Sequence, residues 1–149
     1  MLYVETRMSN DPQLIDRMLR ESSTIAVVGM SDKPSRASYN IGRYLADHGY
    51  TVIPVNPMHE SVLGMKCFSD LESAQAAAQQ NGGVIDLVDV FRASENVPPI
   101  VDDVIRLGIK YLWLQDGVSH QEAVTRAEEA GVGCVQNDCI FRRHAAMRD

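Results

Sequence analysis

The stretch Ile25-Ala26-Val27-Val28-Gly29-Met30-Ser31-Asp32-Lys33-Pro34-Ser35-Arg36 decides the fold. Its first four residues form a short apolar, mostly β-branched run, the pattern of a strand buried on both faces. The run breaks at Gly29 into a polar loop holding Ser31, Lys33, Ser35 and Arg36, and a helical pattern follows from about Tyr39 to His48. Strand, glycine turn, polar loop and helix, in that order, set backbone N–H groups and a helix N-terminus in front of a bound phosphate. A phosphate-rich nucleotide site is therefore expected here.

The same alternation extends in both directions. Upstream, Asn10-Asp11-Pro12 has the form of a helix start, with proline where its missing N–H costs nothing. Leu14, Ile15, Met18 and Leu19 share one face, so a first helix runs to about Glu21, and residues 1–9 read as a loose arm. Downstream, Gly49 ends the helix after the loop, Thr51 to Val55 is a strand, and Asn56-Pro57 forces a turn. Residues 58–66 read as a loop, with Lys66-Cys67-Phe68 as a short edge strand. Ser69-Asp70-Leu71-Glu72 has the form of a capping box with Ser69 as the cap, and Ser119-His120-Gln121-Glu122 repeats it. The helices these open end at Asn81-Gly82-Gly83 and Gly131. Further strands are expected over 84–90, 111–114 and 133–135, a helix within 94–107, and a basic tail after Cys139. Strands alternating with helices imply parallel βαβ units. The expectation is one α/β domain over residues 1–149: a single doubly wound, Rossmann-like parallel sheet, strand order near 3-2-1-4-5-6, with helices on both faces.

Composition narrows the function. The 149-residue chain carries a net charge of −6, which argues against a surface that coats nucleic acid or anionic membrane. Lys33 and Arg36 thus form a local basic spot on an acidic protein. No apolar run approaches the roughly 18 residues of a membrane span, and no signal-peptide pattern opens the chain. Cys67, Cys134 and Cys139 form no paired metal spacing. A reduced, cytoplasmic setting without a metal is expected.

Ligands of an open parallel sheet bind beyond the carboxyl ends of its strands, where the winding reverses. That places Gly29 to Arg36 beside Phe91-Arg92, with Asn56-Pro57, Gln115-Asp116-Gly117 and Asn137-Asp138-Cys139 past the neighbouring strands. The dinucleotide fingerprint GxGxxG is incomplete, since Ser31 and Pro34 stand at its second and third glycines. Asn56 stands where an NAD site carries an acid. Both departures count against ordinary NAD binding, while Lys33 and Arg36 suit a ligand with more phosphate charge.

These motifs in order, together with Val52-Ile53-Pro54-Val55-Asn56-Pro57, Asp86-Leu87-Val88-Asp89-Val90-Phe91-Arg92, Trp113-Leu114-Gln115 and Asn137-Asp138-Cys139-Ile140, resemble the small stand-alone CoA-binding proteins. Those in turn are similar to the N-terminal CoA-binding domain of the succinyl-CoA synthetase α subunit. The resemblance covers roughly residues 10 to 145 and implies coenzyme A as ligand. It implies that Gly29, Met30 and Ser31 meet the phosphates, with Pro34 in the same loop. Lys33 and Arg36 would pair with phosphates, including the 3′-phosphate. Asn56 and Pro57 would border the adenosine, Val90, Phe91 and Arg92 would flank the adenine or pantetheine side, and Gln115 is a further contact. The synthetase works through a phosphorylated histidine in a second domain. His48, His59, His120 and His144 do not match that motif, so CoA binding carries over and ligase activity does not.

The resulting expectation is a non-catalytic CoA or acyl-CoA carrier, sensor or regulatory module with no catalytic set. The alternatives are an NAD(P)-dependent oxidoreductase and half of a split acyl-CoA ligase completed by a partner. Asp86 and Asp89 lie on opposite faces of one strand and read as structural rather than as a catalytic pair. Trp113, Cys67 and Cys134 read as core. Cys139, on the ligand edge, has a plain reading as a structural residue and a sharper one as the partner of the CoA thiol in a mixed disulfide.

Overall fold

The computed structural model describes residues 10 to 147. Five parallel strands, β1 (Thr24–Val28), β2 (Thr51–Val55), β5 (Leu87–Val90), β6 (Tyr111–Leu114) and β7 (Gly133–Val135), form one sheet in the order β2-β1-β5-β6-β7. The expected third strand is reduced to a single parallel bridge, Phe68 beside Val55 at the outer edge of β2. Phe68 donates its N–H to Pro54 O at 3.0 Å and accepts from Asn56 N at 2.8 Å. Counting that bridge, the order follows the expected 3-2-1-4-5-6.

Six helices flank the sheet among the described residues: α1 (Pro12–Glu21), α2 (Ala37–Asp47), α3 (Leu71–Gln80), α4 (Val97–Arg106), α5 (Gln121–Glu129) and α6 (Ile140–Met147). Alternation along each strand feeds two cores. Ala26 and Val28 pack with Val88, Val90, Leu112 and Leu114 under Ala74 of α3, Val101 of α4 and Val124 of α5. Ile25 and Val27 pack with Leu87, Tyr111 and Trp113 under Met18 of α1, Leu45 of α2 and Ile140 of α6. Trp113 and Cys134 are fully buried, and Cys67 and Cys139 are buried. Because α2 covers one face and α3 the other, the winding reverses between β1 and β5.

Four local details depart from the sequence expectation. The first capping box is shifted by one residue: Asp70, not Ser69, precedes α3, and its side chain accepts from Ser73 N at 2.8 Å. In the second, His120 is the cap, and its Nδ1 accepts from Ala123 N at 3.1 Å. The stretch read as a loop over 58–66 contains a two-stranded antiparallel hairpin, β3 (Ser61–Val62) and β4 (Met65–Lys66). It turns through Leu63 and Gly64, both at positive φ. The basic tail is a helix, α6. Its first N–H groups are held by Asp138, whose Oδ1 accepts from Cys139 N, and by Gln115, whose Oε1 accepts from Ile140 N. The loose arm assigned to residues 1–9 lies outside the described residues.

Candidate functional site

The site is built where β1 ends. Gly29 takes φ +87°, and a Cβ there would stand 2.5 Å from the carbonyl oxygen of Phe91. Glycine is required on both counts: the backbone is left-handed, and two strand ends meet with no space for a side chain. Gly29 N donates to Val55 O at 2.8 Å and Phe91 N to Val28 O at 2.9 Å, so the ends of β1, β2 and β5 are tied at one point.

The loop beyond Gly29 is held by its own short polar side chains. Ser31 N donates to Ser38 Oγ at 2.9 Å, Lys33 N to Ser31 Oγ at 3.0 Å, and Asn40 Nδ2 to Pro34 O and Arg36 O. Met30 is fully buried beneath α2, where Gly42 leaves room for its thioether. Asn56, also buried, donates Nδ2 to Met30 O at 3.0 Å and accepts from Met58 N at 2.9 Å. His59 Nδ1 lies 3.6 Å from Asp32. Two contacts therefore join the loop after β1 to the loop after β2.

This loop delivers the N-terminus of α2 without a cap. Arg36 occupies the N-cap position and makes no side-chain cap hydrogen bond. By contrast, α1, α3 and α5 are capped by Asp11, Asp70 and His120. The first-turn N–H groups of α2 are left for water or a ligand, at the positive end of the helix dipole. They open onto a crevice of about 440 Å³ lined by Gly29, Ser31, Ser35, Arg36, Ala37, Ser38 and Phe91.

On the opposite face of the same strand ends lies a second cleft of about 390 Å³. Val28, Val55, Pro57, Leu71 and Ile100 give it apolar walls, and Ser69, Asp70, Arg92, Asn96 and Asp103 give it polar ones. Arg92 connects the two, its Nε lying 3.4 Å from where a Gly29 Cβ would stand. Capping lowers the Asp70 carboxyl below its usual range, chiefly through the Ser73 N–H. A somewhat larger hollow, about 480 Å³, lies at the outer edge of β2 beside Met65, Lys66 and Phe68. It faces no helix N-terminus, so its size alone gives it no comparable chemistry.

The cations divide into two groups. Arg20, Arg106, Lys110, Arg126, Arg142 and Arg143 are each ion-paired with a carboxylate. Among the described residues six cations have no carboxylate ion-pair partner: Arg17, Arg43 and Lys66 lie elsewhere on the surface, and Lys33, Arg36 and Arg92 lie just past the ends of β1 and β5. Unneutralised cations around an uncapped helix end favour a bound anion.

The expected site residues thus fall into three groups. Gly29, Ser31, Arg36 and Phe91 line the crevice, and Pro57 and Arg92 line the second cleft. Met30, Asn56 and Val90 lie buried at the base, with Lys33 and Pro34 exposed in the loop. Gln115 stands apart: it is buried and its side chain serves α6. Ser35, within the expected loop, also lines the crevice, whereas Ser38, Ser69, Asn96 and Asp103 were not expected at the clefts. The serines carry the ordinary signal of a helix start, whereas Asn96 and Asp103 reach the cleft only through the packing of α4. Cys139 is buried and lines neither cleft. No cluster of metal-ligating side chains occurs among the described residues.

Comparison with known sequences adds the deciding observation: the family model described as a CoA binding domain matches residues 23–145. The chain belongs to the CoA-binding domain family. This CoA-binding domain is 35% identical over 134 residues to the uncharacterized protein YneT of Bacillus subtilis, covering 90% of this chain and 94% of that one. A hypothetical protein from Pyrococcus horikoshii OT3 has a similar solved structure, with a TM-score of 0.84, 33% identity and 95% of each chain covered. A dinucleotide-forming acetyl-coenzyme A synthetase of Ca. Korarchaeum cryptofilum is similar at a TM-score of 0.64 and 26% identity. That match covers 77% of this CoA-binding domain but only 26% of the synthetase. No helix among the described residues is long and apolar enough to cross a membrane.

Proposed function

We propose that the protein is a non-catalytic CoA or acyl-CoA carrier, sensor or regulatory module, and that residues 10 to 147 act as one ligand-binding unit. The reading rests above all on the uncapped N-terminus of α2, flanked by Lys33, Arg36 and Arg92, which lack carboxylate partners. In it, the pyrophosphate lies against the α2 N–H groups and Ser31. Lys33 and Arg36 take the remaining phosphate charge, including the 3′-phosphate, and Arg92 stands at the crossing into the second cleft. Asn56 works indirectly, because both ends of its amide are already used to hold Met30 and Met58. Pro57 borders the adenosine. The apolar walls of the second cleft suit an uncharged part of the ligand.

Parallel calorimetric titrations with CoA, dephospho-CoA, NAD and NADP test the reading. CoA is expected to bind tightest and dephospho-CoA more weakly, with the gap narrowed in Lys33→Ala and Arg36→Ala. Tighter binding of NAD or NADP than of CoA would overturn it in favour of an oxidoreductase. The quarter-length match to the acetyl-coenzyme A synthetase supports a second reading, half of a split acyl-CoA ligase. That reading requires a separate polypeptide supplying the catalytic histidine, and acyl-CoA formation only when the two are mixed.

A further inference from the structure

Asp89 is the one carboxylate among the described residues that is buried with no hydrogen-bond partner on either oxygen. It is fully inaccessible, in the central strand β5, with Val27 of β1 on one side and Trp113 of β6 on the other. Alternation puts it on the face of Leu87, under α1, α2 and α6. Two residues further along the same face is Phe91, which lines the phosphate crevice.

The titratable groups around that core are directed elsewhere. Tyr111 OH donates to Glu21, Tyr50 OH to Leu19 O, and Trp113 Nε1 to Asp138 O. Tyr44 OH bonds His144 Nδ1, and His48 Nδ1 bonds Tyr44 O. Asp138 is held by Arg142 and Arg143, and Asp86 by Ser23 N and Thr24 N. On the outer sides of α1 and α2, Arg20 pairs with Asp16, Arg43 bonds Asn40, and Arg17 and Asp47 are exposed. The contrast with Asp138 and Asp86 is informative: these two carboxylates are supplied with donors, and Asp89 is supplied with none. Removing a carboxylate from water without a donor disfavours its charged form.

We propose that Asp89 is carried as a neutral carboxylic acid in the folded protein, and that its ionisation opposes anion binding in the crevice above, so that proton and ligand occupancy are linked. The separation along the strand from Asp89 to Phe91 is about 7 Å, and little but apolar side chain lies around the acid to screen a charge. A carboxylate there repels a bound pyrophosphate; a carboxylic acid does not. By reciprocity, a bound anion in turn holds the proton on Asp89 more tightly. The linkage rests on the CoA reading of the crevice, whereas the protonation of Asp89 does not.

The test measures CoA affinity by calorimetry from mildly acidic to mildly alkaline pH, for the wild-type protein and Asp89→Asn. The titration of the CoA phosphates is common to both and cancels in their ratio. The wild-type affinity is expected to fall about fivefold or more across the range relative to Asp89→Asn. Infrared spectroscopy of the unliganded wild type is expected to show, at neutral pH, a protonated-carboxyl band that Asp89→Asn lacks. If Asn fails to fold, Asp89→Leu serves as the reference. Parallel pH profiles with CoA bound overturn the linkage and leave the CoA reading intact. Absence of the band overturns the neutral acid. Failure of the wild type to bind CoA at any pH, with the band present, overturns the CoA reading and the linkage with it, but not the neutral acid.

Discussion

Replacing Gly29 by alanine places a methyl group 2.5 Å from Phe91 O and 3.2 Å from Phe91 C, both backbone atoms that no rotamer change moves. The φ of +87° by itself costs a non-glycine residue about 1–2 kcal/mol. Relief of the contact requires β1 and β5 to part at their ends. That weakens the Phe91 N to Val28 O and Gly29 N to Val55 O hydrogen bonds, each with a net worth of about 1 kcal/mol. The total is about 3 kcal/mol. Gly108 provides an internal control: it also has positive φ, +70°, but nothing lies within 4 Å of an added Cβ. Gly108→Ala therefore carries the conformational cost alone, about 1–2 kcal/mol. Urea unfolding of the two variants should separate them by about 1–2 kcal/mol. Calorimetry should show CoA binding weakened in Gly29→Ala and unchanged in Gly108→Ala. Equal destabilisation by both, or unchanged CoA affinity in Gly29→Ala, would refute the claim that the contact between β1 and β5 shapes the site.

Three further outcomes follow from the same geometry. Lys33→Ala and Arg36→Ala should each weaken CoA binding by roughly 1 kcal/mol, about fivefold, and leave stability within about 0.5 kcal/mol of wild type, read by calorimetry and urea unfolding. Asp70→Ala should cost about 1 kcal/mol through loss of the α3 cap, whereas Ser69→Ala should stay within about 0.5 kcal/mol; the reverse order in urea would restore the capping box as first read. Burial raises the Asp89 carboxyl well above its usual range, so its contribution to stability is fully present below the ordinary carboxylate pKa. As pH rises the unfolded chain releases this proton first, and the contribution falls by about 1.4 kcal/mol per pH unit until the folded protein ionises too. Urea unfolding at several pH values should show this slope in wild type and not in Asp89→Asn.

Parts of the molecule were legible because one local cause decided them. Thr24–Val28, Thr51–Val55, Tyr111–Leu114 and Gly133–Val135 fall where the apolar runs place them, since a strand buried on both faces has no polar position to confuse its pattern. Asp11-Pro12 marks the start of α1 for an equally local reason. The misses arose where two local signals competed or none existed. Ser69 and Asp70 are both good caps, and the chain enters α3 one residue later than the box suggested. Leu63 carries no turn signal, yet it takes φ +55° at the tip of the β3–β4 hairpin. The helix α6 depends on Gln115, which follows β6 and is 25 residues away in sequence from the N–H it receives.

The amino-acid sequence alone determined the α/β alternation, the place of the phosphate loop and the family, because each is written in contiguous residues: buried runs, one glycine at a strand end, cations in one loop. Only the tertiary structure decided that the α2 terminus is left uncapped, that Arg92 stands at the crossing between the two clefts, and that Asp89 lies without a donor. Those properties depend on which groups from distant segments arrive, or fail to arrive, within hydrogen-bonding distance, and no spacing along the chain encodes that.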